Sequence, residues 1–247
     1  MIVICIVPPI GDGIFQQKQP KSATHAALLS TTQETPMDRA KFFAAVRSPL
    51  FAGKMTEKQV QGADAILDEA ERRGTPLAHL AYMLATALHE TAKTMQPIAE
   101  YGKGAGRKYG VKGKYGQVPY GRGYVQLTWD SNYERADKEL GLKGALLRNF
   151  NLAMRQDIAA KIMFVGMTEG WFTGKKLADY IGARVDYVGA RRIINGTDKA
   201  KTIAGHATVF EKALKAAGYG TRVVAPAKGG FWAALVNIII KILRGGK

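Results

Sequence analysis

Apolar residues recur at helical spacing over most of the chain from Lys41 to Ala217, and no β-rich stretch of comparable length interrupts them. Met37-Asp-Arg-Ala opens an amphipathic segment. Thr56-Glu57-Lys58-Gln59 is a capping-box pattern, in which the Thr and Gln side chains satisfy each other's free backbone N–H groups; Val60, Ala63, Ile66, Leu67 and Ala70 follow at helical spacing. That helix is predicted to stop at Gly74. The next is predicted to start with Thr75 as N-cap and Pro76 at its first position, where a missing N–H costs nothing. It carries Leu77, Leu80, Ala81, Leu84 and Leu88 on one stripe and ends before Pro97, with Glu90 near its C-terminal end. Residues 152–169 and 199–217 also show helical spacing, the latter with Ile203, Phe210 and Leu214 and a C-cap at Gly218.

Between Tyr101 and Gly123 the pattern changes to eight glycines, six basic residues (Lys103, Arg107, Lys108, Lys112, Lys114 and Arg122) and no acidic one. This predicts a long loop, with Tyr101, Tyr109, Tyr115 and Tyr120 interleaved among the cations. Two readings fit it. One is a solvated excursion; the other is a cleft wall whose cations meet an anionic polymer and whose tyrosines stack on ring faces.

The ends differ from the middle. Residues 1–36 begin with a short apolar run ahead of Pro8 and Pro9, continue rich in Gln, Ser, Thr, Pro and Gly, and are expected to form a flexible tail. With no preceding Lys or Arg and no room for a full apolar core, the first residues make a poor export signal. The sequence predicts a folded domain over 37–218 and a linker over 219–230. A cationic amphipathic segment over 231–247 follows, in which Asn237, Lys241 and Arg244 form a polar edge. Its thirteen apolar-rich positions, 231–243, would reach only about 20 Å as a helix, short of the roughly 30 Å core of a bilayer. Contact of residues 231–244 with an anionic membrane surface is one expectation, and packing against the chain itself is the other.

Composition narrows the classes. The 247 residues are 47% hydrophobic and 23% charged, which suits a globular core and excludes wholesale disorder. Lys and Arg number 36 against 20 Asp and Glu, a formal charge of +16, so polyanions are favoured partners in general. The cations lie in a glycine-rich loop and a tail, not along a recognition helix, so no specific nucleic-acid partner is expected. One cysteine, Cys5, can form neither an internal disulfide nor a thiolate metal site. His89-Glu90 begins like a zinc-protease helix, but position 93 is Lys, and no metal or cofactor is expected. No Gly-x-Ser-x-Gly elbow surrounds any serine, and Gly102-x-Gly104-x-Gly106 lacks the strand and spacing of a dinucleotide site.

What remains is a carboxylate pair, Glu90 and Glu100, separated by a helix end and Pro97 and followed by the basic loop. Such pairs suit glycoside hydrolysis: a protonated carboxyl donates to the leaving oxygen while an ionised one activates water. Spacing alone leaves open that both are ordinary surface glutamates.

Four segments carry more. Ala85-Thr-Ala-Leu-His89-Glu90-Thr91, Ile98-Ala-Glu100-Tyr101, Tyr120-Gly121-Arg122-Gly123-Tyr124-Val125-Gln126-Leu127-Thr128-Trp129-Asp-Ser-Asn132-Tyr133 and Ile193-Ile194-Asn195-Gly196 together resemble the family 19 glycoside hydrolases, which include chitinases and phage-type wall lysins. The resemblance spans about 37–217. It implies a mainly α, lysozyme-like, two-lobed helical domain with a substrate cleft and few short strands. It further implies Glu90 as general acid, Glu100 as the base that activates water in an inverting reaction, and Thr128 as the hydroxyl that helps hold that water. Gln126, Asn132 and Asn195 would line the sugar cleft, with Tyr101 and Tyr124 as aromatic substrate contacts. His89 is a further binding candidate, with a hydrogen-bonded helix-end role as its alternative. Arg122 could bridge cleft carboxylates or buttress the loop, and the second, structural role is the expectation. Glu134 and Glu139, close behind the long block, fit a solvated helix face better than the site.

Net charge favours acidic peptidoglycan over neutral chitin as substrate. The expected protein is thus an endolysin-like enzyme made in a bacterial host cytoplasm and acting on the cell wall, cleaving β-1,4 bonds of peptidoglycan. A chitinase is the alternative of the same chemistry. A noncatalytic cationic membrane- or wall-binding protein is the alternative of another class.

Overall fold

A computed structural model describes residues 37–221; the expected tail over 1–36, most of the 219–230 linker and the segment 231–247 lie outside the described residues. The described chain is mainly helical: α1 (Arg39–Phe51), α2 (Glu57–Arg73), α3 (Leu77–Glu90), α4 (Asp130–Glu139), α5 (Ala145–Arg148), α6 (Gln156–Glu169) and α7 (Ala200–Ala216). Among the described residues there are two strands, each of two residues, β1 (Ile98–Ala99) and β2 (Arg122–Gly123), paired antiparallel with Ile98 opposite Gly123 and Ala99 opposite Arg122.

The capping box forms as predicted. The Gln59 N–H donates to the Thr56 hydroxyl at 3.2 Å, the Thr56 N–H donates to the Gln59 side-chain Oε1 at 2.8 Å, and Gly74 ends α2 in the left-handed region. The start of α3 shifts by one residue: Pro76 is the cap, and Thr75 makes no capping bond. A larger difference lies in what α3 buries. The predicted stripe covers one face, but every residue from Leu80 to Leu88 is buried, including Tyr82, Met83, Ala85 and Ala87. Helix α3 is the central element, flanked chiefly by α7 and also by α2, and a helix enclosed on all sides needs apolar or small residues all round. Helix α1 is clamped to α2 by Arg39, which donates to Asp64, Asp68 and Glu71, each at 2.9 Å.

Glu90 sits where this enclosed helix ends, and the chain then turns through an unusual segment. Ala92, Lys93 and Met95 all have φ between 49° and 65°, a conformation non-glycine residues seldom adopt. Buried Thr91 holds the turn, its hydroxyl donating to the Ala87 carbonyl at 2.7 Å and accepting from the Met95 N–H at 3.0 Å. Helix α2 closes against this segment at Gly62, where a Cβ would lie 1.7 Å from the Met95 carbonyl oxygen. Gly62→Ala is therefore expected to destabilise the fold by about 1–3 kcal/mol by overpacking, with a matching fall in urea midpoint.

Candidate active site

Three structural devices bring the carboxylates to one cleft. The end of α3 supplies Glu90. The β1–β2 pair supplies Glu100, which follows β1 directly: its N–H donates to the Gly121 carbonyl at 2.7 Å, and the Gly121 N–H returns a bond to its Oε2 at 3.2 Å. The turn after β2 supplies Gln126 and Thr128, the first turn of α4 supplies Asn132, and the segment before α7 supplies Asn195. The resulting cleft, about 450 Å³, is lined by Glu90, Glu100, Gln126, Thr128, Asn132 and Asn195, with Tyr109, Trp129, Phe172 and Ile194 as its ring and apolar surfaces.

Each carboxylate is held by a different chemistry. Glu90 Oε1 accepts from the Arg191 guanidinium at 2.5 Å; the side chains are 16% and 3% exposed, so this is a buried ion pair that leaves Oε2 for the cleft. Arg191 is itself fixed by donating from Nε to the Asp198 carbonyl at 2.9 Å. Glu100 Oε1 instead accepts from the Tyr109 hydroxyl at 3.1 Å. Burial, and then the Glu100 charge, raise the Tyr109 pKa, so the phenol stays protonated as a donor at neutral pH.

The polar lining depends on strained backbone. Gln126 (φ 54°) and Trp129 (φ 70°) both adopt the left-handed region, at a typical cost of about 1–3 kcal/mol each. Gln126 Nε2 donates to the Ile98 and Gly123 carbonyls, both at 3.2 Å, which ties the turn to β1 and β2. Asn132 Nδ2 donates to the Thr128 carbonyl at 2.9 Å, so these two lining residues hold each other. Trp129 remains 45% exposed and packs edge-on against Tyr109, their ring centroids 5.4 Å apart.

The structure thus brings together Glu90, Glu100, Gln126, Thr128, Asn132 and Asn195, and it does not bring the other three candidates to the cleft. Tyr124 is a correction: it is fully buried and donates to the Gly62 carbonyl at 3.1 Å, tying β2 to α2, so it is no substrate contact. Its place beside the lining residues in sequence misleads because successive residues of a turn point different ways. Tyr101 is 81% exposed and outside the lining, and His89, half-buried on α3, lies outside it too. On α7, the His206 pKa is lowered by burial, then by Lys93 and then by His89.

Arg122 is a buttress. It is buried, donates to Asn151, to the Val118 and Tyr120 carbonyls and to the Tyr133 hydroxyl at 3.0–3.1 Å, and its guanidinium lies 3.5 Å from the Tyr120 ring centroid. Glu134 is latched to the loop by Lys114 and the Tyr115 hydroxyl, and the Lys114 bond holds its carboxyl below the usual carboxylate range. Among the described residues no three His, Cys, Asp or Glu side chains gather as metal ligands. Sequence reasoning misses Arg191, Trp129, Phe172 and the bond from Tyr109. The only signal for Arg191 is its position two residues before Ile193-Ile194-Asn195.

Tyr109→Phe removes one bond to a charged acceptor and little else. It is expected to lower turnover of a glycan substrate about three- to tenfold, acting on kcat more than on KM, with a melting temperature only about 2–4 °C lower.

No protein-family model matches the chain, and no curated protein sequence matches it. Solved structures do. The chain is similar to a bacterial family 19 chitinase at 22% identity and TM-score 0.47, over 72% of this chain and 94% of that one. It is similar to a mutant of chitinase C at 21% and 0.44, over 77% and 95%, and to chitinase C from Streptomyces griseus HUT6037 at 20% and 0.48, over 77% and 80%.

Proposed function

We propose that this protein is a glycoside hydrolase that cleaves β-1,4 bonds of bacterial peptidoglycan by inverting general acid–base catalysis, in the manner of an endolysin. The observation that carries the reading is the cleft itself, where Glu90 and Glu100, carried by separate elements, line one cavity with four amide or hydroxyl side chains. In the reaction Glu90, an ionised partner of Arg191 in the free protein, first takes up a proton from solvent and then gives it to the glycosidic oxygen as the bond from that oxygen to the sugar carbon breaks. Glu100 takes a proton from a water whose oxygen bonds to the same carbon from the opposite side, with Thr128 helping to hold that water. Arg191 then faces the Glu90 carboxylate that the proton transfer creates, so its charge favours the product side of that step. Tyr109 and the Gly121 N–H fix the Glu100 carboxylate by its two oxygens.

The net charge of +16 supports an acidic wall polymer over neutral chitin, the alternative substrate. The test is digestion of purified peptidoglycan and of chitin by wild type, Glu90→Gln and Glu100→Gln, with products read by mass spectrometry and reducing-end chemistry. Muropeptides released by wild type and by neither variant support the proposal. Chitin-only cleavage replaces the substrate, and wall clearing by all three proteins without new reducing ends replaces the hydrolase with a cationic binding protein.

A further inference from the structure

We propose that residues 103–112 form a cationic ledge that binds carboxylates carried by the glycan strand lying in the cleft; the proposal rests on the hydrolase reading for the strand's position. The six cations of the loop separate into two sets. Arg122 is buried and Lys114 is paired with Glu134, so both are spent on structure. Lys103, Arg107, Lys108 and Lys112 are exposed, fall within ten residues, and have no acidic partner within 4.0 Å among the described residues.

The ledge is a built feature and no slack excursion. Its backbone runs through successive hydrogen-bonded turns, from the Arg107 N–H to the Gly104 carbonyl and from the Gly110 N–H to the Arg107 carbonyl, each at 2.9 Å. The neck closes glycine on glycine: a Cβ on Gly110 would lie 1.8 Å from the Gly104 oxygen. At the far foot the Lys114 N–H donates to Asp130 Oδ2 at 2.8 Å, and Gly113 leaves the room Asp130 needs.

At the inner side the same turn meets the chemistry. The Lys103 N–H donates to the Glu100 carbonyl at 3.0 Å, and Tyr109 reaches Glu100 Oε1 and Trp129. A strand seated against Glu100 therefore brings its own substituents to the ledge. Four like charges on one short segment, with no acidic partner among the described residues, repel one another. A ligand of opposite charge removes that cost, and a preformed turn binds it with little ordering entropy. A neutral glycan supplies no such group, whereas a strand bearing carboxylates does.

The test uses two soluble polymers with the same β-1,4 backbone, neutral glycol chitin and anionic carboxymethyl chitin. Binding is measured on the Glu90→Gln protein so that turnover does not enter, at NaCl concentrations giving screening lengths of about 30 Å and about 8 Å. The expected result is a preference for carboxymethyl chitin that shrinks at the higher salt. Lys103→Gln, Lys108→Gln and Lys112→Gln together are expected to weaken its binding about tenfold, with glycol chitin as the reference. Arg107 is spared because its charge acts on the Tyr109 phenol. The corresponding triple Lys→Arg variant is expected to retain the preference, which separates charge from folding. Equal binding of the two polymers at low salt, or a preference the triple Gln variant keeps, would overturn the proposal. So would competition by inorganic polyphosphate as strong as that of carboxymethyl chitin, which would mark a surface indifferent to the strand. Failure of the wild type to cut any polymer would fall on the hydrolase reading alone.

Discussion

Glu100→Gln is expected to lower kcat on peptidoglycan by about 10²–10⁴-fold, the usual contribution of a positioned general base. Gln keeps the size of the side chain but cannot take a proton from water. It also has one acceptor oxygen where the carboxylate has two, so with the Gly121 N–H kept the Tyr109 hydroxyl loses its charged acceptor and can only accept from Nε2. That loss costs about 1 kcal/mol of stability, too little to unfold the protein, and a melting curve beside the assay separates the two effects. Glu90→Gln is expected to fall in the same range, because an amide cannot supply the proton. Turnover within about threefold of wild type for either variant would remove that glutamate from the mechanism.

Arg191→Met carries the second large effect, on stability and turnover together. Methionine fills similar volume without charge, leaving Glu90 as a mostly buried carboxylate with no counter-ion and the Asp198 carbonyl without its donor. Breaking one partner of a buried pair costs about 3–5 kcal/mol. For a folded unit of this size that is a fall of roughly 10 °C in melting temperature. The double variant Glu90→Gln, Arg191→Met is expected to recover much of that stability, because the orphaned charge is gone, while activity stays lost. A double variant no more stable than Arg191→Met alone would show that Arg191 acts through packing and not through Glu90.

The legible part of the site was the part carried by short-range pattern. Glu90 ends α3, a helix whose proline boundaries at Pro76 and Pro97 were plain, and the run from Gly121 to Tyr133 placed Gln126, Thr128 and Asn132 together because the turn after β2 leads directly into the first turn of α4. Arg191 was not legible, since its partner lies 101 residues away and nothing near it in sequence records the pairing. Tyr124 was misread for a related reason. A tyrosine between two lining segments has the composition of a sugar contact, and only the approach of α2 at Gly62 shows where its hydroxyl goes. The loop over 101–123 was legible as glycine-rich and basic, but the closed turn that brings Gly110 against Gly104 was not, since it depends on the path of the backbone.

By itself, the sequence determined the helical class, most helix boundaries and the excess of positive charge. These follow from periodicity, capping chemistry and composition, which act over a few residues or over the whole chain without reference to contacts. Tertiary structure decided that α3 is enclosed on every side, that β1 and β2 pair so as to set Glu100 against Gly121, and that Arg191 closes on Glu90. It also decided which cations of the loop stay unpaired. Those outcomes depend on distant segments packing side by side, and the energy that selects them exists only once the helices have met.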